Sequence, residues 1–146
     1  MTTNVNKAIY AVGILLLADF AITMVILFTD KNLQTDFGIV KPYFIHWYGL
    51  LITGIVDIIG AGIIFARPTG RNSTIAAVGT ALLAVFLVAD IATYSLVGFT
   101  SASSFATYLF GFSKFKGSLP YIPGLYDILF AFYIITSGVA FSLHRK

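Results

Sequence analysis

The sequence has no cysteine and no glutamate, and charged residues make up only 10% of its 146 positions. Without cysteine there are no disulfides, no thiolate metal centres, no iron–sulfur clusters and no thiol nucleophile. Without glutamate, every side-chain carboxylate is one of six aspartates. Soluble domains run near about 25% charged, so the scarcity of charge argues against a water-soluble globule. What fills the space instead is apolar: 58% of the residues are hydrophobic and the mean hydropathy is +0.92. The length allows one compact unit. The class that follows is a polytopic membrane protein.

A bilayer core about 30 Å thick needs roughly 20 apolar residues per helix. Four segments meet that requirement, at residues 8–29, 43–66, 74–99 and 121–143. Asp30-Lys31-Asn32 closes the first and Arg67-Pro68-Thr69-Gly70-Arg71 the second; Ser73 or Thr74 is placed to cap the third, and His144-Arg145-Lys146 closes the fourth. The first apolar run is too long for the h-region of a signal peptide, and no small-residue cleavage site follows Thr29, so it reads as a retained helix. Short connections between such helices predict an all-α integral membrane protein, an antiparallel four-transmembrane-helix bundle forming one domain.

Lys7, Arg67, Arg71, Arg145 and Lys146 fall on one side of the predicted bundle and Lys31, Lys41, Lys114 and Lys116 on the other. Both longer loops lie on the second side, and together with this slight bias they place both termini in the cytoplasm. The net charge of +3 sits in such flanking residues and makes no nucleic-acid patch. The loop 100–120 sets Phe105, Tyr108, Phe110, Phe112 and Phe115 among Ser, Gly and two Lys. It reads as an interfacial aromatic belt, or more sharply as a docking surface or a cover over a site.

Residues 13–29 align with 84–100 at an offset of 71 with six of seventeen positions identical, and residues 54–61 align with 124–131 at an offset of 70. An aspartate recurs at the matching place in both pairs. The pattern suggests tandem duplication of a two-helix hairpin, with binding sites of such parallel repeats expected near the pseudo-two-fold axis.

Asp19, Asp57, Asp90 and Asp127 each fall inside one of the apolar segments, and none of these segments carries a lysine or arginine beside its acid. A charge at the bilayer centre costs about 2.5–3.5 kcal/mol even on the lenient insertion scale. The four acids are therefore expected to face the interior, some of them protonated. Counting along the helices puts Asp19 and Asp57 at one depth and Asp90 and Asp127 at another. Paired carboxylates at one depth can share a proton or hold a cation. The functional readings are a proton relay, a cation site or the polar anchor of a substrate. The plainer reading is a set of interhelical hydrogen bonds, each contributing about 0.6 kcal/mol, with Thr23, Thr53, Thr80, Thr93, Tyr94, Tyr126 and Ser137 as candidate partners. Gly13, Gly49, Thr53 and the Gly60-Ala61-Gly62 cluster thin the first two helices for close packing, as Gly138 and Ala140 do in the fourth.

His46 opens the second helix beside Trp47 and Tyr48, eleven residues before Asp57. The trio could contact a quinone headgroup or contribute to a metal site; the plainer reading is an aromatic anchor at the headgroups. A bis-histidine haem is excluded because one histidine at most faces the interior, and the usual zinc or copper sites need more nitrogen or sulfur ligands. Walker, Rossmann, nucleophile-elbow and HExxH patterns are absent. No cofactor is called for and no catalytic activity is expected. In size and helix count the chain resembles DoxX-like proteins and the accessory subunits of terminal oxidases or membrane monooxygenases. The small size, the aromatic loop and the absence of catalytic motifs point to a non-catalytic subunit of an energy-transducing or redox complex, with other membrane subunits or further copies of the chain as partners in the lipid bilayer. The alternatives are a small proton- or cation-translocating transporter acting through the four aspartates, and a quinone-binding protein.

Overall fold

The computed structural model describes residues 2–29, 44–98 and 125–143. Four helices account for nearly all of them: α1 (Thr2–Thr29), α2 (Phe44–Ala66), α3 (Gly70–Gly98) and α4 (Leu125–Ser142). Each contains a stretch long and apolar enough to cross a membrane, namely Lys7–Thr29, Tyr48–Ala66, Gly70–Ala89 and Leu125–Ser142. These four helices suggest a multi-pass membrane protein. The aromatic loop 100–120 and the Lys31, Lys41, Lys114 and Lys116 flank lie outside the described residues.

Two helix starts differ from the sequence expectation. Helix α1 begins at Thr2, well before the apolar run, because hydropathy marks where the solvent changes and not where backbone hydrogen bonding stops. Helix α3 begins at Gly70, and its cap is Thr69 in place of Ser73 or Thr74. The Asn72 backbone N–H donates to Thr69 Oγ1 at 3.2 Å, the usual bond of an N-cap side chain. Asn72 Nδ2 donates back to the Arg67 carbonyl at 2.8 Å, and Pro68, with no N–H to give, stops α2 from running on. Ser73 instead joins two helices. Its side chain is fully buried, and its hydroxyl donates to the Ala140 carbonyl of α4 at 2.8 Å.

The interior has three layers. A first apolar cluster gathers Ile9, Val12, Leu16, Ala61, Ile64, Ala77 and Ala140. A second gathers Ile26, Leu27, Leu50, Ala84, Leu87, Tyr126, Leu129 and Tyr133. All four helices contribute to both. Between these clusters along every helix come buried polar residues: Asp19 and Thr23, Thr53 and Asp57, Thr80, and Thr136. The outward faces are apolar instead, with Ile14, Leu82 and Val85 each more than 60% exposed. That inversion is what a lipid solvent tolerates and water does not.

Helix α1 packs most extensively on α2, and α3 on α4; α1 and α4 join the two pairs, while α2 and α3 touch over a smaller area. Glycine explains the closeness of the first pair. A Cβ on Gly54 would lie 2.7 Å from Met24 Cε and 3.3 Å from Thr23 Cγ2, and one on Gly13 would meet the Phe65 ring at 2.8 Å. A Cβ on Gly62 or Gly138 would meet nothing within 4 Å. Gly62→Ala and Gly138→Ala should therefore each raise stability by roughly 0.5–1 kcal/mol through helix propensity. Gly54→Leu, which wedges α1 from α2, should lower it by about 1–3 kcal/mol. Loss of helical ellipticity during SDS titration measures all three.

Candidate functional site

The polar layer is built from spacings that put two groups on one helix face. Asp19 and Thr23 are four apart on α1, Thr53 and Asp57 are four apart on α2, and Tyr133 and Thr136 are three apart on α4. The two acids lie toward the first apolar cluster on their helices, and Thr23 and Thr53 toward the second. Asp19 and Asp57 are both fully buried and close enough for their charges to interact. The sequence count that sets these two acids at one depth thus corresponds to one layer of the structure.

Helix α4 supplies the partner of each. The Tyr133 hydroxyl donates to Asp57 Oδ2 at 2.9 Å, and the Thr136 hydroxyl donates to Asp19 Oδ2 at 2.8 Å. Thr23 and Thr53 are buried beside the acids, each four residues from the one on its own helix. Those threonines have already given away their protons: Thr23 donates to the Asp19 carbonyl at 2.9 Å and Thr53 to the Leu50 carbonyl at 2.8 Å. Thr80, the contribution of α3, donates to the Ala76 carbonyl at 2.8 Å. Asp19 Oδ1 and Asp57 Oδ1 are buried with no hydrogen-bond partner among the described residues. The cations with described side chains, Lys7, Arg67 and Arg71, are exposed, so a charge on either acid has no buried counter-charge among the described residues. An uncompensated buried charge costs several kcal/mol; a proton or a cation at the idle oxygen removes that cost.

The other acids lie elsewhere. Asp127 is half-buried in the first turn of α4, next to Tyr126 of the second cluster. Asp90 lies on α3 beyond Leu87 of that same cluster, and its side chain is outside the described residues. The first two acids occupy the middle layer and the second two the end of the core, so their placement gives no support to the tandem duplication. His46 and Trp47 stand at the start of α2 with side chains outside the described residues. Tyr48 is 39% exposed, and the structure does not bring it to the polar layer. Among the described residues no group of three or more His, Asp, Glu or Cys could hold a metal ion.

Tyr133 and Thr136 are not among the partners expected from the sequence. The signal for them is the spacing of Tyr126, Leu129, Tyr133, Thr136 and Ala140, all buried on one face of α4, which marks that face as interior whatever its polarity. Of the expected partners, Ser137 donates to the Ala77 carbonyl at 2.8 Å, Tyr126 is part of the second cluster, and the side chains of Thr93 and Tyr94 lie outside the described residues. Compared with protein-family models, with curated proteins and with solved structures, the chain matches none.

A double-mutant cycle of Tyr133→Phe against Asp57→Asn should give a coupling energy near 0.6 and no more than about 1.7 kcal/mol, the span found for interhelical hydrogen bonds in membranes. Thr136→Val against Asp19→Asn should fall in the same span. SDS unfolding of the four single and two double variants provides the numbers.

Proposed function

We propose that the four helices span the bilayer as an antiparallel bundle and that the chain moves protons across the membrane through Asp19 and Asp57. One observation carries this reading: two buried carboxyls from neighbouring helices share a layer, and each keeps one oxygen without a partner among the described residues. Buried polar groups are nearly always paired, and an acid that served only to join helices would gain by pairing both oxygens or by replacement with an apolar residue. An acid in a membrane interior with an idle oxygen is suited to a transient partner. The idle oxygens are too few to replace the hydration shell of a metal cation, which takes about six or more oxygens, whereas one oxygen is enough for a proton.

The apolar clusters on either side of the layer act as two barriers. A proton reaching Asp19 or Asp57 from one side is separated from the other side by packed aliphatic and aromatic side chains, so net movement requires the clusters to open in turn. With Arg67 and Arg71 on the same side as Lys7, the charge bias puts that side, and both termini, in the cytoplasm.

The test is proton flux into liposomes holding the purified chain and a trapped pH dye, driven by a potassium diffusion potential. The wild type should exceed protein-free liposomes, and Asp19→Asn and Asp57→Asn should each reduce the excess by roughly tenfold or more, the scale for loss of a positioned proton-transfer group. Asp127→Asn should keep it. A wild type no faster than empty liposomes, or Asn variants as fast as the wild type, overturns the proposal. The chain is then better read as a non-catalytic subunit of a membrane complex, whose partners native mass spectrometry of the mildly extracted protein would show.

A further inference from the structure

The helix pair with the smaller contact area, α2 and α3, leaves a half-open crevice of about 210 Å³ between its members. Small residues on the facing surfaces make the room: Gly60 on α2, Ala76 and Gly79 on α3. Its walls are almost wholly apolar, and at its mouth Ile59 and Ile75 are each more than half exposed. Two buried polar residues also line it, Asp57 and Thr80. Asp57 is fully buried, and its Oδ1 has no hydrogen-bond partner among the described residues; Thr80 spends its proton on its own helix and keeps lone pairs to accept.

We propose that this crevice is a binding site, open to the bilayer, for a small lipophilic amine whose ammonium group pairs with Asp57 while its apolar body fills the space between α2 and α3. The walls select an apolar body, because aliphatic side chains offer nothing to a polar one. The inner end selects a donor, since the Asp57 carboxylate and the Thr80 hydroxyl are both acceptors. It selects a cationic donor because no described cation faces Asp57, and a neutral donor leaves a carboxylate charge there uncompensated. A metal ion is a poor occupant, for the crevice supplies too few oxygens to replace its water. Volume sets the size: a cavity of about 150 Å³ holds benzene, so the crevice takes one ring or a short branched chain, and its open side lets a longer tail trail into lipid. The site shares Asp57 with the proposed proton path but does not depend on that path, because binding can be measured where no flux occurs.

The experiment is calorimetric titration of the whole chain in lipid nanodiscs with 2-phenylethylamine, protonated at neutral pH, against its uncharged counterpart 2-phenylethanol and against empty nanodiscs. The wild type should bind the amine saturably at one site and more tightly than the alcohol. Asp57→Asn should weaken amine binding roughly tenfold or more, as expected on losing a charge-assisted bond, and leave the alcohol unchanged. Gly79→Leu fills the crevice, and because a Cβ at Gly79 meets nothing within 4 Å the fold should survive it; both ligands should then lose binding. Asp19→Asn should leave the amine's affinity in place. The proposal is overturned by amine uptake no greater than in empty nanodiscs, by equal affinity in Asp57→Asn and wild type, or by undiminished binding in Gly79→Leu. Saturable, Asp57-dependent binding in a chain that passes no protons would uphold the crevice and refute the transport reading; proton flux without amine binding would do the reverse.

Discussion

Two hydroxyls of α4 hold the two halves of the core together. For helices that span a bilayer there is no hydrophobic drive to bring them into contact, so close packing and interhelical hydrogen bonds set their positions. The pair α1–α2 relies on packing, with Gly13, Gly54 and Gly60 letting the backbones approach until side chains touch where a Cβ would otherwise be. The pair α3–α4 is tied by serines in opposite directions: Ser73 of α3 donates to Ala140 of α4, and Ser137 of α4 donates to Ala77 of α3. What joins the pairs at their centre is Tyr133 on Asp57 and Thr136 on Asp19. The polar layer is thus the seam of the molecule as well as its candidate site.

A seam of this kind links function to motion. Each pair is internally braced, whereas the joint depends on two hydrogen bonds worth about 0.6 kcal/mol apiece in a membrane and on two apolar clusters that any relative movement of the pairs would have to repack. Loss of a hydrogen bond from Tyr133 or Thr136 leaves an acid wholly unpartnered, while a proton or cation on that acid removes the need for the bond. Occupancy of the acids and the relative position of the pairs are coupled by that chemistry. On the transport reading, the coupling is what lets the site open to one side at a time.

Much of this is legible in the residues alone, for reasons of solvent and spacing. The four helices follow from apolar runs of membrane length, and the burial of Asp19 and Asp57 follows from the cost of a charge in lipid together with counting from the helix ends. The cap of α3 does not follow, because Thr69, Ser73 and Thr74 are equally good caps by type; only the turn forced by Pro68 selects Thr69. Tyr133 and Thr136 escape a sequence reading because partner choice between helices depends on their rotation and height, which a sequence gives for one helix at a time. The equal standing of Asp90 and Asp127 rests on sequence register, and register does not determine depth when helices start at different levels. The crevice has no sequence signal, since it arises from how loosely α3 lies on α2.

The idle oxygens follow from a count of protons. The layer holds five hydroxyls, each with a single proton to give: Thr23, Thr53 and Thr80 donate to carbonyls of their own helices, and Tyr133 and Thr136 donate to the acids. Two ionised carboxyls offer four oxygens, and among the described residues only Tyr133 and Thr136 reach them, so two stay unmatched. The shortfall closes in two ways. A proton bound at Oδ1 removes the charge and with it most of the cost of burying the acid. A donor brought in from outside supplies the missing hydrogen directly, and for Asp57 the α2–α3 crevice is the side from which it can come. On the two proposed readings both routes act on the Asp57 carboxyl, so there a bound proton and a bound amine would compete.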